Sequence, residues 1–309
     1  MLNICVYGVG GVGGYFGGKI AHGLHRSKSD QYQIHFVARG EHLQEIKDKG
    51  LLLNTSEESL VCVPHSATSD ITELSPPDLV LVCVKSYDLD HSLRQIALNI
   101  KDETIILPLL NGVDIYDRVR NIIKTGIVLP ACVYVGTHIE KPGVVTQAGG
   151  DGLLLMGLDP HYEEFVPEQL LDLFDFTDVK YRWQSDPQPA IWEKFLFISA
   201  FGLITACHGR SIGEVIADAE LKEQVRGVMA EVLELSKAKG INLPVDIIEK
   251  SLQKAGNFPF EARTSYQRDI ESGRKCNEGD LFGGTILRLA NEYGLELPIT
   301  CDTFLGISK

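Results

Sequence analysis

The segment YGVGGVGGYFGGKIA, from Tyr7 to Ala21, constrains the fold more than any other part of this chain. Seven of its fifteen residues are glycine, and it links the apolar run NICVY (3–7) to a segment that is compatible with a helix. Gly8, Gly10 and Gly13 match the pattern G-x-G-x-x-G, which predicts a dinucleotide-binding turn when a strand precedes it and a helix follows.

Each glycine of this pattern has a distinct physical role. The first permits a tight turn, the second lets a pyrophosphate approach the backbone, and the third lets the helix pack close to the strand. The N-terminus of the helix then presents free N–H groups to the phosphates. The alternative is a glycine-rich surface turn that binds no ligand. The residues expected to contact the cofactor are Gly8, Val9, Gly10, Gly11, Val12 and Gly13.

Three further glycines lie beyond the pattern, at Gly14, Gly17 and Gly18. We expect them to let the first helix approach the sheet closely, because a glycine has no Cβ to hold the two apart.

The first half of the chain alternates between apolar strands and helical segments, a pattern typical of a parallel sheet that is covered on both faces. The chain is therefore predicted to begin with a Rossmann-type, doubly wound α/β domain. A small hairpin (LLLN and LVCVP), extended segments over 129–157 and a strand at 179–183 are also expected. The main strands are predicted at 3–7, 32–38, 78–85 and 104–110, and helices at 13–24, 41–49 and 89–100.

The second half has helical periodicity throughout, so an all-α C-terminal domain is predicted. With 309 residues, the chain exceeds what one hydrophobic core usually organises. The expected domains are 1–186 and 187–309. Helices are predicted over 190–207, 214–239, 245–255, 261–272 and 279–293.

Composition excludes several classes of function. The formal net charge of −13 argues against nucleic-acid binding, which needs a basic surface. The most apolar run, FLFISAFGLITAC (195–207), is shorter than the roughly 20 residues that span a bilayer. The N-terminus shows no secretory signal pattern. The seven cysteines contain no C-x-x-C pair, which argues against a zinc site or a disulfide framework and indicates the reducing cytoplasm.

The residue at the end of the second strand distinguishes NAD from NADP. An acidic residue there would hold the ribose 2′-hydroxyl of NAD. Here the strand ends in FVARGEH, with Arg39 at that place. A guanidinium pairs well with a 2′-phosphate, so NADPH/NADP is the expected cofactor. In the alternative interpretation, Arg39 is only a solvated residue and Glu41 binds the ribose.

Three polar residues are candidates for the chemistry. Lys85 ends one predicted strand and Asn111 directly follows another. Both lie at the carboxyl edge where open α/β sheets bind ligands, although each is also consistent with an ordinary turn. Lys194 lies among apolar residues in IWEKFLFISAF. Burial would lower the pKa of its ammonium and suit it to proton donation. In the alternative, the lysine extends its ammonium to solvent and pairs with Glu193 or another carboxylate, which would give it a structural role only.

The residues resemble those of the ketopantoate reductases (2-dehydropantoate 2-reductases), relatives of the 6-phosphogluconate dehydrogenase group. The resemblance spans nearly the whole chain and depends on the order and spacing of several segments. They are GVGGVGG near the start, Arg39, CVKSYD (83–88), LLNGV (109–113), GTHIEKPGVV (136–145), WEKFLF (192–197), SYQRDIESGR (265–274) and EGDLFGG (278–284).

The resemblance implies NADPH-dependent reduction of ketopantoate to pantoate, a step of pantothenate biosynthesis, in a cleft between the two domains. It implies that Lys85 lines the cofactor cleft and that Asn111 lies between the nicotinamide ribose and the substrate. Lys194 would be the general acid. Ser265 would hold the substrate carboxylate, and Glu278 would hydrogen-bond the substrate.

The sequence departs from the family at several substrate-contacting positions. Three asparagines that are typical of the family are replaced by Ile198, Gly202 and Ile212. A site without these amides has fewer groups that can hydrogen-bond a substrate hydroxyl. It therefore prefers a hydroxylated keto acid only weakly over an analogue without the hydroxyl. Glu278 takes the acidic position only if one residue is inserted before it; otherwise Asn277 stands there. Glu278 is favoured, because Asp280, Gly283 and Gly284 then also match the family pattern E-x-D-x-x-G-G.

Two other functions therefore stay open: reduction of a different 2-keto acid with a more apolar side chain, and a non-catalytic dinucleotide sensor. The proton donor at Lys194 argues against the sensor. No metal ligand set is evident, and a small-molecule keto acid is the expected partner. The apolar helical half leaves a homodimer open as well.

Overall fold

The computed structural model describes residues 2–27, 30–162, 164–273 and 276–307. The chain divides into two compact units. The α/β unit comprises Met1–Asn111 and Ile115–Pro187, and the helical unit comprises Gly112–Asp114 and Gln188–Lys309.

The α/β unit alternates strands and helices from its first residues. Its strands are β1 (Leu2–Tyr7), β2 (Tyr32–Val37), β3 (Leu51–Asn54), β4 (Ser59–Cys62), β5 (Ser66–Thr68), β6 (Leu79–Val82), β7 (Ile105–Pro108), β8 (Ile127–Val128), β9 (Ala131–Lys141), β10 (Val144–Gly157) and β11 (Tyr181–Gln184). Its helices are α1 (Gly11–Ser27), α2 (Gly40–Lys49), α3 (Leu89–Ile96), α4 (Ile115–Ile122) and α5 (Glu168–Phe176).

Six strands form a parallel sheet in the order β5-β2-β1-β6-β7-β8. Ile4 on β1 lies between Ile34 on β2 and Leu79 on β6, and all three side chains are buried. Strands that are apolar on both faces are stable here because helices cover both sides of the sheet. The predicted Rossmann-type architecture is confirmed.

A second sheet, which the strand pattern did not predict as a separate layer, has the order β11-β10-β3-β4, with β9 also paired to β10. The hairpin of β3 and β4 is antiparallel, as expected. Strand β3 is parallel to β10, which lies about 90 residues later in the chain. The last strand of the α/β unit, β11, pairs with β10. It therefore belongs to the second sheet and adds no strand to the Rossmann-type sheet.

Helix α1 packs against both sheets, and its glycines set the distance to each. A Cβ on Gly17 would lie 2.8 Å from Val6 Cγ2 of the first sheet. A Cβ on Gly14 would lie 2.6 Å from Val145 Cγ2 of the second sheet. These separations are shorter than a carbon–carbon contact allows, so the helix reaches both sheets only because these positions lack a side chain. The expected close approach of α1 is confirmed.

The helical unit contains seven α-helices in its described part. They are α6 (Gln188–His208), α7 (Ile212–Ala217), α8 (Ala219–Ala238), α9 (Ile247–Ala255), α10 (Ser265–Glu271), α11 (Thr285–Tyr293) and α12 (Pro298–Ile307). A short π-helix, Asp280–Gly284, precedes α11. The apolar helix α6 packs against α8, α10 and α12, which makes it the centre of this unit.

Two predicted helices are interrupted in the structure. The helix expected over 214–239 breaks at Asp218, where the backbone is extended (φ −90°, ψ 120°). The Asp218 carboxylate accepts hydrogen bonds from the N–H groups of Glu220 and Leu221, so it caps the second helix. The helix expected over 279–293 begins instead as the π-helix, a conformation that periodicity does not reveal.

The segment Gly112–Asp114 groups with the helical unit although it directly follows the β7 region. Asp114 accepts a hydrogen bond from Thr285 Oγ1 at 3.1 Å and pairs with Arg288 at 3.2 Å. These polar contacts explain why the segment groups with the helical unit. No hydrophobic pattern in the sequence predicted the contacts.

Helix α6 is the one helix in the described ranges that is long and apolar enough to cross a membrane by composition. Within its most apolar window, 61% of the residues are buried inside the protein, as is typical of a core helix.

We expect Gly14→Ala to lower the free energy of unfolding by about 1–3 kcal/mol, because a methyl group would press against the β-branched Val145. Gly18→Ala is the matched control on the same helix. Its Cβ would meet Leu53 Cδ2 at 3.2 Å, at the end of a flexible side chain, so the gain in helix propensity offsets most of the crowding.

Urea denaturation of the two variants measures both free energies. Equal stability of Gly14→Ala and wild type would contradict the role of this glycine in fixing α1.

Candidate active site

The glycine-rich turn follows β1 and has the geometry that its sequence predicts. Gly8 has a positive φ of 96°, which side chains other than glycine rarely tolerate. Its N–H donates to the carbonyl of Val37 at 3.0 Å, which anchors the turn to β2. A Cβ on Gly13 would lie 2.1 Å from the Gly8 carbonyl oxygen, so only glycine fits where α1 passes the end of β1.

The turn is open at Gly10, although it is crowded at Gly8, Gly11 and Gly13. A Cβ on Gly10 would meet no atom within 4 Å. The Gly10 carbonyl accepts the first helical hydrogen bond, from Gly14 N–H at 2.8 Å, so α1 begins at Gly11. The amides of a first helical turn have no partner within the helix and favour an anion. The turn therefore fits a dinucleotide pyrophosphate.

Arg39 lies just beyond β2 and precedes α2 in an extended conformation (φ −136°, ψ 158°). It is exposed, and so is Glu41 in the first turn of α2. Burial raises the pKa of the Tyr7 phenol, and the nearby Arg39 guanidinium opposes that rise. Arg39 is thus held beside the end of β1, where a cation is available to a phosphate.

Lys85 and Asn111 follow β6 and β7, and both are half-buried. Because β2, β1, β6 and β7 are consecutive neighbours in a parallel sheet, their carboxyl ends lie along one edge. The structure therefore brings Arg39, the turn that begins at Gly8, Lys85 and Asn111 to the same edge, as the sequence predicts.

In the helical unit, Lys194 is half-buried on α6, whereas its neighbour Glu193 is exposed. The adjacent aromatic residues, Trp192 and Phe195, are fully buried. The core therefore fixes the backbone on both sides of Lys194.

An aromatic cluster made of Phe195, Tyr266 and Phe282 joins three segments of the helical unit. The rings of Phe195 and Phe282 stack with centroids 6.4 Å apart, and Tyr266 lies 5.4 Å from Phe282. All three are about 1% exposed. These residues stand next to or close to Lys194, Ser265 and Glu278 in the sequence, so the cluster holds their segments together.

Ser265 and Glu278 differ in their exposure. Ser265 is exposed and is the first residue of α10, after Thr264, whose hydroxyl accepts from Gln267 N–H. Glu278 is buried, at 5% exposure. The side chain of Asn277 accepts a hydrogen bond from Gly279 N–H at 2.9 Å, so its carbonyl oxygen serves a local turn.

One of the three positions where the resemblance implies a family asparagine, Gly202, lies against α10. A Cβ on Gly202 would meet Tyr266 Cβ at 3.7 Å, and one turn later Thr205 Oγ1 lies 2.9 Å from Thr264 Oγ1. The face of α6 that carries Gly202 therefore packs on α10. Ile198 is half-buried and Ile212 is buried, and neither supplies a polar group.

Sequence reasoning missed His42, on α2. Its Nδ1 accepts a hydrogen bond from Gly143 N–H at 3.0 Å, and burial lowers its pKa. A lone histidine in a charged helix carries no sequence signal for such a contact. Over the described ranges, no three His, Cys, Asp or Glu side chains gather in a way that could hold a metal ion.

Comparison with known proteins identifies the family. The sequence profile of ketopantoate reductase PanE/ApbA matches residues 4–160, and the profile of the ketopantoate reductase PanE/ApbA C terminal domain matches residues 186–305. A 2-dehydropantoate 2-reductase of Mesorhizobium japonicum is 25% identical over 329 aligned positions, which cover 100% of this chain and 97% of that protein.

Two solved structures are similar over nearly their full length. A PanE/ApbA family ketopantoate reductase from Ralstonia eutropha JMP134 has a TM-score of 0.88 and 26% identity, covering 99% of this chain and 97% of that one. A D-mandelate dehydrogenase, in a ternary structure with NADH and anilino(oxo)acetate, has a TM-score of 0.86 at 19% identity with the same coverage, and it shows likeness of fold alone. The present chain belongs to the ketopantoate reductase family, whose members are oxidoreductases that act on a ketone or the corresponding CH–OH group.

Proposed function

We propose that this protein is an NADPH-dependent reductase that converts ketopantoate to pantoate in the cytoplasm, as a step of pantothenate biosynthesis. The observation that carries the proposal is the aromatic cluster of Phe195, Tyr266 and Phe282, which holds together the segments of a proton donor, a hydroxyl and a carboxylate. That combination suits the reduction of a keto acid better than simple nucleotide binding.

The α/β unit holds the cofactor in this proposal. The turn from Gly8 to Gly13 binds the pyrophosphate through the first amides of α1, and Arg39 binds the 2′-phosphate. Lys85 and Asn111, at the same sheet edge, bind the nicotinamide end. When bound, NADPH supplies the hydride that C2 of the substrate accepts.

Lys194 supplies the electrostatics and the proton. Its ammonium donates a hydrogen bond to the C2 carbonyl oxygen, stabilises the negative charge that develops there, and then transfers a proton from Nζ. The exposed Glu193 is less suited to hold this ammonium as a structural partner, because a solvated ion pair contributes little.

Ser265 and Glu278 orient the substrate. The Ser265 hydroxyl donates to the substrate carboxylate, and its exposure keeps it available. Glu278 accepts from a substrate hydroxyl. We assign this role to Glu278 because the Asn277 oxygen already accepts from Gly279 N–H.

A second candidate function is reduction of a 2-keto acid with an apolar side chain. The specific observation in its favour is the apolar character of Ile198, Gly202 and Ile212. A hydroxyl placed against these residues would lose its hydrogen bonds to water without replacement. Among the residues assigned above, only Glu278 would offer the hydroxyl of ketopantoate a hydrogen bond in place of those it loses to water.

We expect Arg39→Gln to weaken NADPH binding by about 10- to 100-fold while NADH binding changes little, because only NADPH carries the 2′-phosphate. Glu41→Gln, in the first turn of the helix that follows Arg39, is the matched control. Fluorescence titration of both variants with both nucleotides measures the effect. A loss of NADH affinity in Glu41→Gln, with Arg39→Gln unchanged, would assign the ribose to Glu41 and the cofactor to NAD.

We expect Lys194→Ala to lower kcat by about 10²- to 10⁴-fold and to leave NADPH affinity near that of wild type, since the lysine acts on the carbonyl oxygen. Glu193→Gln is the control for a general effect on this turn of α6. Steady-state kinetics and NADPH titration give the two quantities. Near-normal turnover of Lys194→Ala would rule out this residue as the acid.

A panel assay of NADPH oxidation tests the substrate. We expect turnover of ketopantoate, with a kcat/KM advantage of less than about 10-fold over its analogue without the hydroxyl, because the amides that would read that hydroxyl are absent. Ile198→Asn should increase this advantage.

A strong preference for the analogue without the hydroxyl would replace ketopantoate by the second candidate. Absence of turnover on every 2-keto acid, with tight NADPH binding, would favour a sensor.

A further inference from the structure

The dinucleotide turn has a neighbour that the proposed function does not use: His42, in the first turn of α2. Its Nδ1 accepts the N–H of Gly143 at 3.0 Å. Gly143 lies between β9 and β10, has a positive φ of 76°, and leaves no room for a Cβ against Glu45. The β9–β10 turn is thus docked on α2 at two adjacent points.

This hydrogen bond determines the protonation state of the imidazole. A nitrogen that accepts an N–H carries no proton, so the neutral ring of His42 has its proton on Nε2. A charged ring would lose the hydrogen bond from Gly143, so this bond favours the neutral form. Burial favours the neutral form as well and lowers the pKa of His42.

The Nε2 atom is enclosed by protein and makes no aligned hydrogen bond within the part of the chain that the structure describes. The backbone of Val9 lies close enough to the imidazole to raise its pKa, against the larger lowering by burial. Enclosed N–H donors are rarely left without an acceptor. The Val9 side chain is 3% exposed, so the turn is held at this point and has little freedom to move away.

We propose that His42 is a positioning residue for the dinucleotide turn, whose Nε2–H donates to the Val9 carbonyl and fixes the Gly10 and Gly11 backbone for the phosphates. The residue contacts no cofactor atom and acts through Val9. This inference depends on the proposed dinucleotide site, and it applies to NAD and NADP alike because both carry the pyrophosphate.

Calorimetric titration of the full-length protein with NADP⁺ and with NAD⁺ tests this role. Four proteins are compared: wild type, His42→Phe, His42→Gln and the control Gln44→Ala, in which an exposed side chain that pairs with Asp48 is removed from the same helix. We expect His42→Phe to weaken the better-bound nucleotide about 10-fold, and His42→Gln, which keeps a donor, to recover most of that loss.

Two further readouts separate positioning from a general loss of structure. The kcat of His42→Gln at saturating NADPH should stay within about twofold of wild type while KM for NADPH rises. In wild type, the ¹H–¹⁵N signal of His42 Nε2 should move when NADP⁺ is added, as its hydrogen bond to Val9 tightens. This signal keeps the test valid if His42→Phe does not fold.

Three outcomes would overturn the proposal. Unchanged nucleotide affinity in a folded His42→Phe would remove the role of His42 and leave the cofactor assignment intact. Equal losses in His42→Phe, His42→Gln and Gln44→Ala would show a general effect of α2. A wild-type protein that binds neither nucleotide would refute the proposed function, and the role of His42 with it.

Discussion

The structure of the α/β unit depends on the contact of one glycine-rich helix with two sheets. Gly13 and Gly17 bring α1 against the Rossmann-type sheet, and Gly14 brings it against the second sheet. Side chains at these positions would push the sheets apart. The same packing sets where α1 begins, and thereby where its first amides point. The fold of this unit and its expected anion site are therefore consequences of a single constraint.

In the helical unit, a buried aromatic cluster has the corresponding role. Phe195, Tyr266 and Phe282 are core residues. The polar residues near them in sequence are more exposed: Lys194 is half-buried, Ser265 is exposed at the start of α10, and Glu278 is 5% exposed. Packing of this kind fixes the backbone positions of a site. Different polar side chains can then occupy these positions without changing the fold. The apolar residues Ile198 and Gly202 on α6 are therefore compatible with the fold.

The sequence predicted the Rossmann-type sheet, its glycine-rich turn and the helical second half, because these features follow from local periodicity and turn chemistry. It did not predict the second sheet, since the pairing of β3 with β10 joins segments that are distant in the chain. It did not reveal the grouping of Asp114 with Thr285 and Arg288, or the π-helix before α11. The spacing of the glycine-rich segment already favoured Glu278 over Asn277, but it did not predict the hydrogen bond that the Asn277 side chain accepts from Gly279 N–H.

The proposed function requires that this chain transfers a hydride from NADPH to the C2 carbon of a 2-keto acid. The most direct measurement is to react ketopantoate with NADPH that carries deuterium at both C4 positions of the nicotinamide, and to examine the product by proton NMR and mass spectrometry. The account predicts a 2-hydroxy acid with one deuterium, located at C2. A product with solvent protium at C2, or no product from any 2-keto acid in the presence of bound NADPH, would contradict it.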